Sequence, residues 1–158
     1  MLDLAYIIPA YNAAHTIAQT LQTVLAQRGP RIHAIVVDDG STDATADIAR
    51  AQRDWRIQVV RQANQGLAGA RNTGLEVLEN TARHACFLDA DDTVEQGHAL
   101  ALVSALDAAA PGLADRPAAD DLAPTPGADI AACAYRMVGP ALQDLDWTID
   151  PAASDFDP

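Results

Sequence analysis

Three aspartates, Asp89, Asp91 and Asp92, lie within four positions directly after the apolar run Cys86-Phe87-Leu88. Carboxylates this close repel one another unless a positive group lies between them. A hard divalent cation such as Mg²⁺ or Mn²⁺ is the usual positive group, because it binds one or two carboxylates together with phosphate oxygens. The alternative is a solvated acidic turn in which Asp92 or Thr93 caps the next helix. The spacing alone leaves both interpretations open.

Three further polar clusters follow apolar runs in the same manner. They are Pro9-Ala10-Tyr11-Asn12, Asp38-Asp39-Gly40-Ser41 and the segment that leads through Gly66 to Arg71-Asn72. Strands that alternate with helices predict a mostly parallel sheet. Ligands bind such sheets beyond the carboxyl ends of the strands, which lie at one edge. We therefore expect all four polar clusters to meet at the same edge.

The elements that must position these clusters alternate along the chain. Apolar runs predict strands over residues 4–8, 32–37, 57–60 and 86–88, and amphipathic patterns predict a helix after each strand. Pro9 is expected to end the first strand. Asn12 is expected to cap the first helix, and Ser41 or Thr42 the second. The sequence therefore predicts an α/β fold, a three-layer α/β/α sandwich around a mostly parallel, Rossmann-like sheet.

The helices have apolar sides that should pack on the sheet. For the helices after the first, third and fourth strands, these sides consist of Ile17, Leu21, Val24 and Leu25; of Leu67, Ala70, Leu75 and Leu78; and of Ala99, Leu102, Val103 and Leu106. Gly29-Pro30 is expected to stop the first helix, and the second helix is expected to run to about Arg53.

Composition divides the chain into three parts. Residues 1–110 form the predicted α/β domain. Residues 111–128 are rich in proline, alanine and aspartate, which is typical of a surface loop or linker. Residues 129–158 contain an alternating pattern near 130–138 that predicts an extra strand, followed by a weakly structured acidic tail.

The formal net charge is −12, without any lysine. Residues 1–80 carry seven arginines against eight acidic residues, a net of −1, and residues 81–158 carry three against fourteen, a net of −11. Nucleic acid and anionic membrane partners need a basic surface, so both are disfavoured. No apolar run approaches the ~20 residues of a membrane-spanning helix, and the N-terminus lacks the basic region of a signal peptide. We expect a cytoplasmic location, with peripheral contact at the inner face of the membrane as the open alternative.

The predicted edge lacks the usual phosphate-binding motifs. No G-x-G-x-x-G follows the first strand, and a P-loop is excluded because the chain has no lysine. A metal ion held by Asp91, aided by Asp89, is the available holder for a phosphate.

Other side chains at this edge could bind a base. Tyr11 can stack on a planar ring, Asp38 or Asp39 can accept a hydrogen bond from a base N–H, and Arg71 can reach a base or a phosphate. Each also has a purely structural interpretation: Tyr11 could cover the end of the first helix, Asp38 could cap the second helix, and Arg71 could pair with an exposed glutamate. Their joint placement favours a nucleoside-diphosphate site.

Four blocks of this sequence resemble the family-2 glycosyltransferases in motif, order and spacing. The blocks are Ile7-Ile8-Pro9-Ala10-Tyr11-Asn12, Val36-Val37-Asp38-Asp39-Gly40-Ser41-Thr42-Asp43, Asn64-Gln65-Gly66-Leu67-Ala68-Gly69-Ala70-Arg71-Asn72-Thr73-Gly74 and Phe87-Leu88-Asp89-Ala90-Asp91-Asp92. The resemblance covers residues 4 to about 106. It implies the GT-A fold, a nucleoside-diphosphate-sugar donor (most often a UDP-sugar), Mn²⁺ or Mg²⁺ as cofactor and a carbohydrate or lipid-linked acceptor. It also implies a role in polysaccharide biosynthesis for the cell envelope.

The resemblance further implies roles for individual residues. The donor nucleotide would be bound by Pro9, Tyr11, Asp38, Asp39, Arg71, Asp89 and Ala90. Asp89-Ala90-Asp91 matches the D-x-D motif of the family, with Asp91 as the principal metal ligand and Asp89 as the second. Asp92 would lie near the sugar or behind the metal ligands.

One family feature has no match in this chain. The family inverts the anomeric centre with a general base that comes from a carboxylate well downstream of D-x-D, in an acceptor-binding half. Asp144, Asp146 and Asp150 do not match the motif of that base, so the catalytic base is unidentified and the acceptor half is expected to be missing or short.

Two alternative functions follow from the same residues. One is a non-catalytic protein that binds nucleotide sugars. The other is a phosphatase of the haloacid-dehalogenase type, because Asp89-Ala90-Asp91-Asp92-Thr93 also fits D-x-D-x-[TV]. That motif should open its domain and be followed by a lysine, and neither condition is met here.

Overall fold

A computed structural model describes residues 1–78 and 81–109, together with two short strands at 135–136 and 146–147. The elements are β1 (Leu2–Ala10), α1 (Ile17–Leu25), β2 (Ile32–Asp39), α2 (Thr45–Ala51), β3 (Ile57–Gln62), α3 (Gly66–Leu78), β4 (Ala82–Phe87), α4 (His98–Ala109), β5 (Tyr135–Arg136) and β6 (Asp146–Trp147). Strands and helices alternate through β4 and α4. This confirms the α/β fold class.

The first four strands form one parallel sheet in the order β3-β2-β1-β4. In the register, Leu4 pairs with Ile32 on one side of β1 and with His84 on the other. Strands β2 and β3 extend the sheet in one direction from β1, whereas β4 lies in the other. The strand order therefore reverses between β1 and β4, and ligands bind parallel α/β sheets at such a reversal.

The sheet is covered on both faces, as expected for parallel strands. On one face, Leu4, Tyr6 and Ile8 pack with residues of α1 and α4 in the larger core cluster. On the other face, Ala5 packs with Ala70 and other residues around α3 in a second cluster. Alternation along β1 with a period of two sends successive side chains into the two cores. The result is a three-layer α/β/α sandwich.

Strand β1 passes through Pro9 and ends at Ala10, so the prediction that Pro9 ends the strand is wrong. The Ile7 carbonyl accepts a hydrogen bond from Leu88 N, which places Ile7 on the side of β4. Pro9, two residues later, faces the same side, but the pairing between β1 and β4 has already ended at Phe87. The missing N–H of Pro9 therefore costs the sheet no hydrogen bond.

The predicted helix caps are also wrong. Helix α1 has Thr16 as its N-cap residue, without a side-chain cap, and not Asn12. Helix α2 begins at Thr45, and its first turn is held by the Asp43 carboxylate, which accepts a hydrogen bond of 3.0 Å from Thr45 N. Ser41 bonds elsewhere, because its hydroxyl oxygen accepts a hydrogen bond from Asn12 N.

The core-facing sides of the helices are confirmed in part. In α4, Ala99, Leu102 and Val103 are buried as predicted. In α3, Ala70 and Leu78 are buried, but Leu67 and Leu75 are exposed. Gly74 takes the expected place of the bulkier leucines against the sheet, because the helix approaches β1 too closely for a large side chain.

Strand β4 differs from the buried strand predicted at residues 86–88. It begins at Ala82 and ends at Phe87. Within the described part of the chain it is an edge strand of the sheet, and the Phe87 side chain is 44% exposed.

The linker predicted at residues 111–128 lies outside the described residues. Within the predicted extra strand at 130–138, only Tyr135–Arg136 is described, and it pairs antiparallel with Asp146–Trp147. Among the described helices, none is both long and apolar enough to span a bilayer.

Candidate active site at the carboxyl edge of the sheet

The polar clusters of the sequence lie at the carboxyl ends of the four parallel strands. Tyr11 directly follows β1, Asp38 and Asp39 are the last residues of β2, and the acidic turn, which we define as residues 89–92, follows β4. Arg71 reaches this edge from α3, because it contacts Asp89. The predicted convergence on one edge is therefore present, and β1 and β4 flank the point where the strand order reverses.

The loop after β1 is joined to the loop after β2 by hydrogen bonds. Asn12 N donates to Ser41 Oγ at 2.9 Å, and Thr42 N donates to Asn12 Oδ1 at 2.9 Å. Ala13 N donates to Thr45 Oγ1 at 2.8 Å. Asn12 adopts a left-handed backbone with φ of 52°, which asparagine tolerates better than most residues. These bonds fix the backbone next to Tyr11.

Asp38 is fully buried at the end of β2. Its Oδ1 accepts a hydrogen bond of 3.2 Å from Ser41 N, and its Oδ2 lies 3.1 Å from Nε of Arg61 in an ion pair. Arg61 also donates from Nη2 to the Ser41 carbonyl at 2.7 Å. A buried carboxylate requires such partners. The contacts of Asp38 are therefore with its own loop and with β3.

Asp39 is 3% exposed. Its Oδ1 accepts two hydrogen bonds, from Gln62 Nε2 and from Gln65 N, each of 2.8 Å. Gly40 follows with φ of +75°, and a Cβ at this position would lie 2.9 Å from Asn64 N. The glycine thus lets the loop between β3 and α3 approach closely enough for Gln65 to reach Asp39.

Tyr11 is 55% exposed, so its ring is available at the edge. Pro9 is buried within β1 two residues before it. An accessible aromatic side chain therefore directly follows the buried end of β1.

Arg71 crosses from α3 to the acidic turn. Its Nη2 lies 3.1 Å from Asp89 Oδ1, and its guanidinium carbon lies 5.3 Å from the centre of the Phe87 ring. The ring attracts the cation in this geometry. The buried Nε of Arg71 has no hydrogen-bond partner among the described residues. The protein partners of Arg71 therefore leave one buried donor of its guanidinium unsatisfied.

The acidic turn combines exposed and buried parts. Asp89 and Asp91 are exposed, whereas Ala90 is 7% exposed and packs in the larger core cluster. Burial raises the pKa of the Asp92 carboxyl, and the charges of Asp91 and Asp89 raise that pKa further. Asp92 is therefore close enough to Asp91 and Asp89 to be repelled by their charges.

The carboxylates of the acidic turn are possible ligands for a divalent cation. Within residues 1–78 and 81–109, no group of three or more His, Cys, Asp or Glu side chains is arranged to enclose a metal ion. However, Mg²⁺ and related cations commonly bind only one or two carboxylates and complete their coordination with phosphate oxygens and water. Asp89 and Asp91 fit a cation that is shared with a diphosphate. They do not form a closed protein cage.

Several residues that shape this edge were missed by the sequence reasoning. Arg61 and Gln62 at the end of β3 hold Asp38 and Asp39. Thr20, Thr23 and Gln27 hold the segment that follows Asp89. The last three follow one another at intervals of three and four positions, so a polar stripe at helical spacing was a usable signal.

Comparisons with known proteins agree with this geometry. A sequence model of the family described as Glycosyl transferase family 2 matches residues 6–119. The succinoglycan biosynthesis protein ExoO of Rhizobium meliloti is 36% identical over 108 residues, which cover 68% of this chain and 30% of ExoO.

Two solved structures have a similar fold. Staphylococcus aureus TarS (residues 1–349) in complex with UDP-GlcNAc matches with a TM-score of 0.60 and 26% identity, over 68% of this chain and 32% of the 1–349 chain. The mannosyltransferase PcManGT of Pyrobaculum calidifontis, in complex with GDP-Man and Mn²⁺, matches with a TM-score of 0.52 and 28% identity, over 59% of this chain and 30% of that protein. The chain thus spans about a third of the length of ExoO and of these two solved chains. Its family match, its parallel sheet and its strand-end motifs agree, and the chain belongs to glycosyltransferase family 2.

Proposed function

We propose that this chain is an inverting glycosyltransferase, or the donor-binding portion of one. It would bind a nucleoside-diphosphate sugar with a divalent cation and transfer the sugar to a hydroxyl group of a carbohydrate or lipid-linked acceptor. The observation that carries the proposal is the convergence of Tyr11, Asp39, Arg71 and the acidic turn on one edge of the sheet. A UDP-sugar is the preferred donor, because TarS, the neighbour with the higher TM-score, binds UDP-GlcNAc.

The β2 side of the edge supports base binding. Both hydrogen bonds that Asp39 accepts go to Oδ1, so Oδ2 can accept one from a base N–H. Tyr11 has an exposed ring that can stack on the base. Asp38, which is fully buried and paired with Arg61, would support the base site by holding the loop.

The β4 side supports diphosphate binding. Asp91, with Asp89, would hold Mn²⁺ or Mg²⁺, and the bound cation would stabilise the charge that develops on the leaving diphosphate. Arg71 is held beside Asp89 and Phe87 and its side chain is 34% exposed, so its guanidinium can contact a phosphate or the base. Asp92 would lie behind these ligands or near the sugar. Pro9 and Ala90 are buried, so they can contribute only through the shape of the backbone.

The reaction needs one group beyond these. The acceptor oxygen forms a bond to the anomeric carbon, the bond from that carbon to the diphosphate breaks, and the electron pair leaves with the diphosphate. The acceptor proton must pass to a general base within hydrogen-bond reach of the hydroxyl. No residue of this chain is assigned to that step.

A binding experiment tests the metal and nucleotide assignments. Isothermal titration of UDP into the protein should show tighter binding with Mn²⁺ than with a chelator. The Asp91→Ala variant should lose this difference while keeping the circular dichroism spectrum of the wild type. Glu95→Ala, which removes an exposed acidic side chain from the same loop, is the matched control and should keep the difference. Unchanged Mn²⁺-dependent affinity in Asp91→Ala would contradict the metal assignment.

A protein that binds a nucleotide sugar without transferring it is the second candidate. It is favoured by the general base, because transfer needs that group and no residue of this chain is assigned to it. The two candidates differ in turnover. Steady release of UDP from a UDP-sugar by purified protein would exclude the non-catalytic alternative, and tight binding without release would support it.

A further inference from the structure

The acidic turn and the segment that follows it are attached to helix α1 and to Gln27 by side-chain hydrogen bonds. Thr20 Oγ1 donates to the Ala90 carbonyl at 2.8 Å, and Thr23 Oγ1 accepts from Val94 N at 3.1 Å. Gln27, just beyond the helix, donates from Nε2 to the Glu95 carbonyl at 2.9 Å and accepts at Oε1 from Ala99 N at 3.1 Å. We call Thr20, Thr23 and Gln27 the polar stripe. Its hydrogen bonds anchor the backbone of residues 90–99 at four positions, Ala90, Val94, Glu95 and Ala99.

The bond from Thr20 reaches the centre of the acidic turn. The Ala90 carbonyl belongs to the planar peptide unit that joins Ala90 to Asp91. Fixing that carbonyl fixes the plane from which the Asp91 backbone continues, and hence the direction in which its side chain leaves. Thr20 is 1% exposed and Ala90 is 7% exposed, so water cannot readily replace the lost partner.

The hydrogen bond from Thr20 to the Ala90 carbonyl supports a turn whose carboxylates are exposed. Asp89 and Asp91 are exposed, and with Asp92 they place three carboxylates within four positions, where like charges repel one another. This repulsion acts against the closed form of the turn. Its internal hydrogen bond, from Asp92 N to the Asp89 carbonyl, is 3.1 Å long. The polar stripe supplies the additional support from a buried helix.

We infer that Thr20, with the rest of the polar stripe, is a positioning residue for the carboxylates that would hold the donor's metal ion. The inference rests on the proposed function. Loss of the Thr20 hydroxyl should weaken metal-assisted binding selectively, because the base side of the edge is held by a separate set of bonds around Ser41 and Arg61.

The test compares three threonine variants on one helix. Thr20→Val keeps the shape of the side chain but removes the hydroxyl, and Thr20→Ser keeps the hydroxyl. Thr16→Val is the matched control, because among the residues that the structure describes Thr16 Oγ1 bonds only the nearby Ala13 carbonyl. Mn²⁺ affinity at saturating UDP is measured by electron paramagnetic resonance, UDP affinity in chelator by calorimetry, and stability by thermal melting.

The expected result is a loss of Mn²⁺ affinity of about tenfold in Thr20→Val, as when a partner that orients a metal ligand is removed. Thr20→Ser and Thr16→Val should stay within about twofold of the wild type, and metal-free UDP affinity should be similar in all four proteins. If Thr20→Val does not fold, Gln27→Met, which removes the anchor at Glu95 and Ala99, takes its place with the same expectation.

Three outcomes would overturn the inference. The first is wild-type Mn²⁺ affinity in Thr20→Val, or in Gln27→Met where it replaces that variant. The second is an equal loss of Mn²⁺ affinity in Thr16→Val, which would indicate a general effect on the helix. The third is an equal loss of UDP affinity with and without metal. A wild-type protein that binds no UDP with Mn²⁺ would instead contradict the proposed function, and the inference with it.

Discussion

The Asp38 carboxylate is a charged group with no exposed surface, and its ionic partner, Arg61, is 56% exposed in its side chain. A buried carboxylate that loses its partner retains the cost of leaving water. Arg61→Met should therefore lower the free energy of unfolding by about 1–3 kcal/mol, measured by urea denaturation. Loss of the hydrogen bond from Arg61 Nη2 to the Ser41 carbonyl should lower the free energy of unfolding further.

A second arginine gives the control for this prediction. Arg50 pairs with Asp47 at 3.6 Å, and the Asp47 side chain is 86% exposed. Arg50→Met should change stability by no more than about 0.5 kcal/mol, because exposed ion pairs are worth little. Equal losses of unfolding free energy in Arg61→Met and Arg50→Met would mean that the burial of Asp38 does not strengthen its ion pair.

At the scale of elements, helix α3 packs closely against the sheet because Gly74 has no side chain at the contact. A Cβ on Gly74 would lie 2.3 Å from Cγ2 of Ile7, a residue of the central strand. Gly74→Ala should lower the free energy of unfolding by about 1–2 kcal/mol, even though alanine favours helix more than glycine does. Glu76→Ala, at an exposed position of the same helix, should stay within about 0.5 kcal/mol of the wild type. A stable Gly74→Ala protein would show that α3 can move away from β1 at little cost.

The loops after β1 and β2 form another element-scale unit, and Asp43 gives it a pH dependence. Hydrogen bonds from the Thr45 hydroxyl, Thr45 N and Ala14 N hold the pKa of Asp43 below its ordinary value of 3.8. The folded state thus favours the charged carboxylate. Its stabilising contribution is complete above pH 3.8 and disappears as the pH falls through the lowered pKa.

The Asp43→Asn variant tests this dependence. Near neutral pH it should melt at a lower temperature than the wild type, and the difference should shrink as the pH falls below 3.8. Asp47→Asn, on the exposed side of α2, is the control. A difference in melting temperature that is constant across this pH range would contradict the assignment.

At the scale of the whole molecule, the net charge of −12 opposes an anionic ligand. Salt screens this long-range repulsion, since the Debye length falls from ~30 Å at 0.01 M to ~8 Å at 0.15 M. Without divalent metal, the affinity for UDP should therefore rise by about two- to fivefold over this range of salt. Uridine, which lacks the phosphates, should bind equally at both concentrations. A fall in UDP affinity with salt would mean that nearby arginines outweigh the overall charge.

The architecture of the whole molecule could be predicted because its signals are local. Apolar runs indicated the strands, and the polar residues directly after them indicated the edge at which a ligand binds. The prediction that Pro9 ends β1 was wrong because a strand accepts proline where no neighbour needs its N–H. Here that depends on where β4 ends, almost 80 positions later. Asn12 was misplaced because its partners, Ser41 and Thr42, come from another loop. Such partners depend on tertiary structure that no local pattern records.

The central place of β1 also bears on how the protein is made. β1 is synthesised before the other three strands of its sheet, yet one of its two neighbours is β4, with Leu2 paired to Ala82. At 5–20 residues per second, a ribosome needs roughly 4 to 16 s to add the intervening residues. During that time one edge of an almost entirely apolar strand has no partner. Nascent chains of this protein should therefore present β1 to chaperones until β4 has left the ribosome.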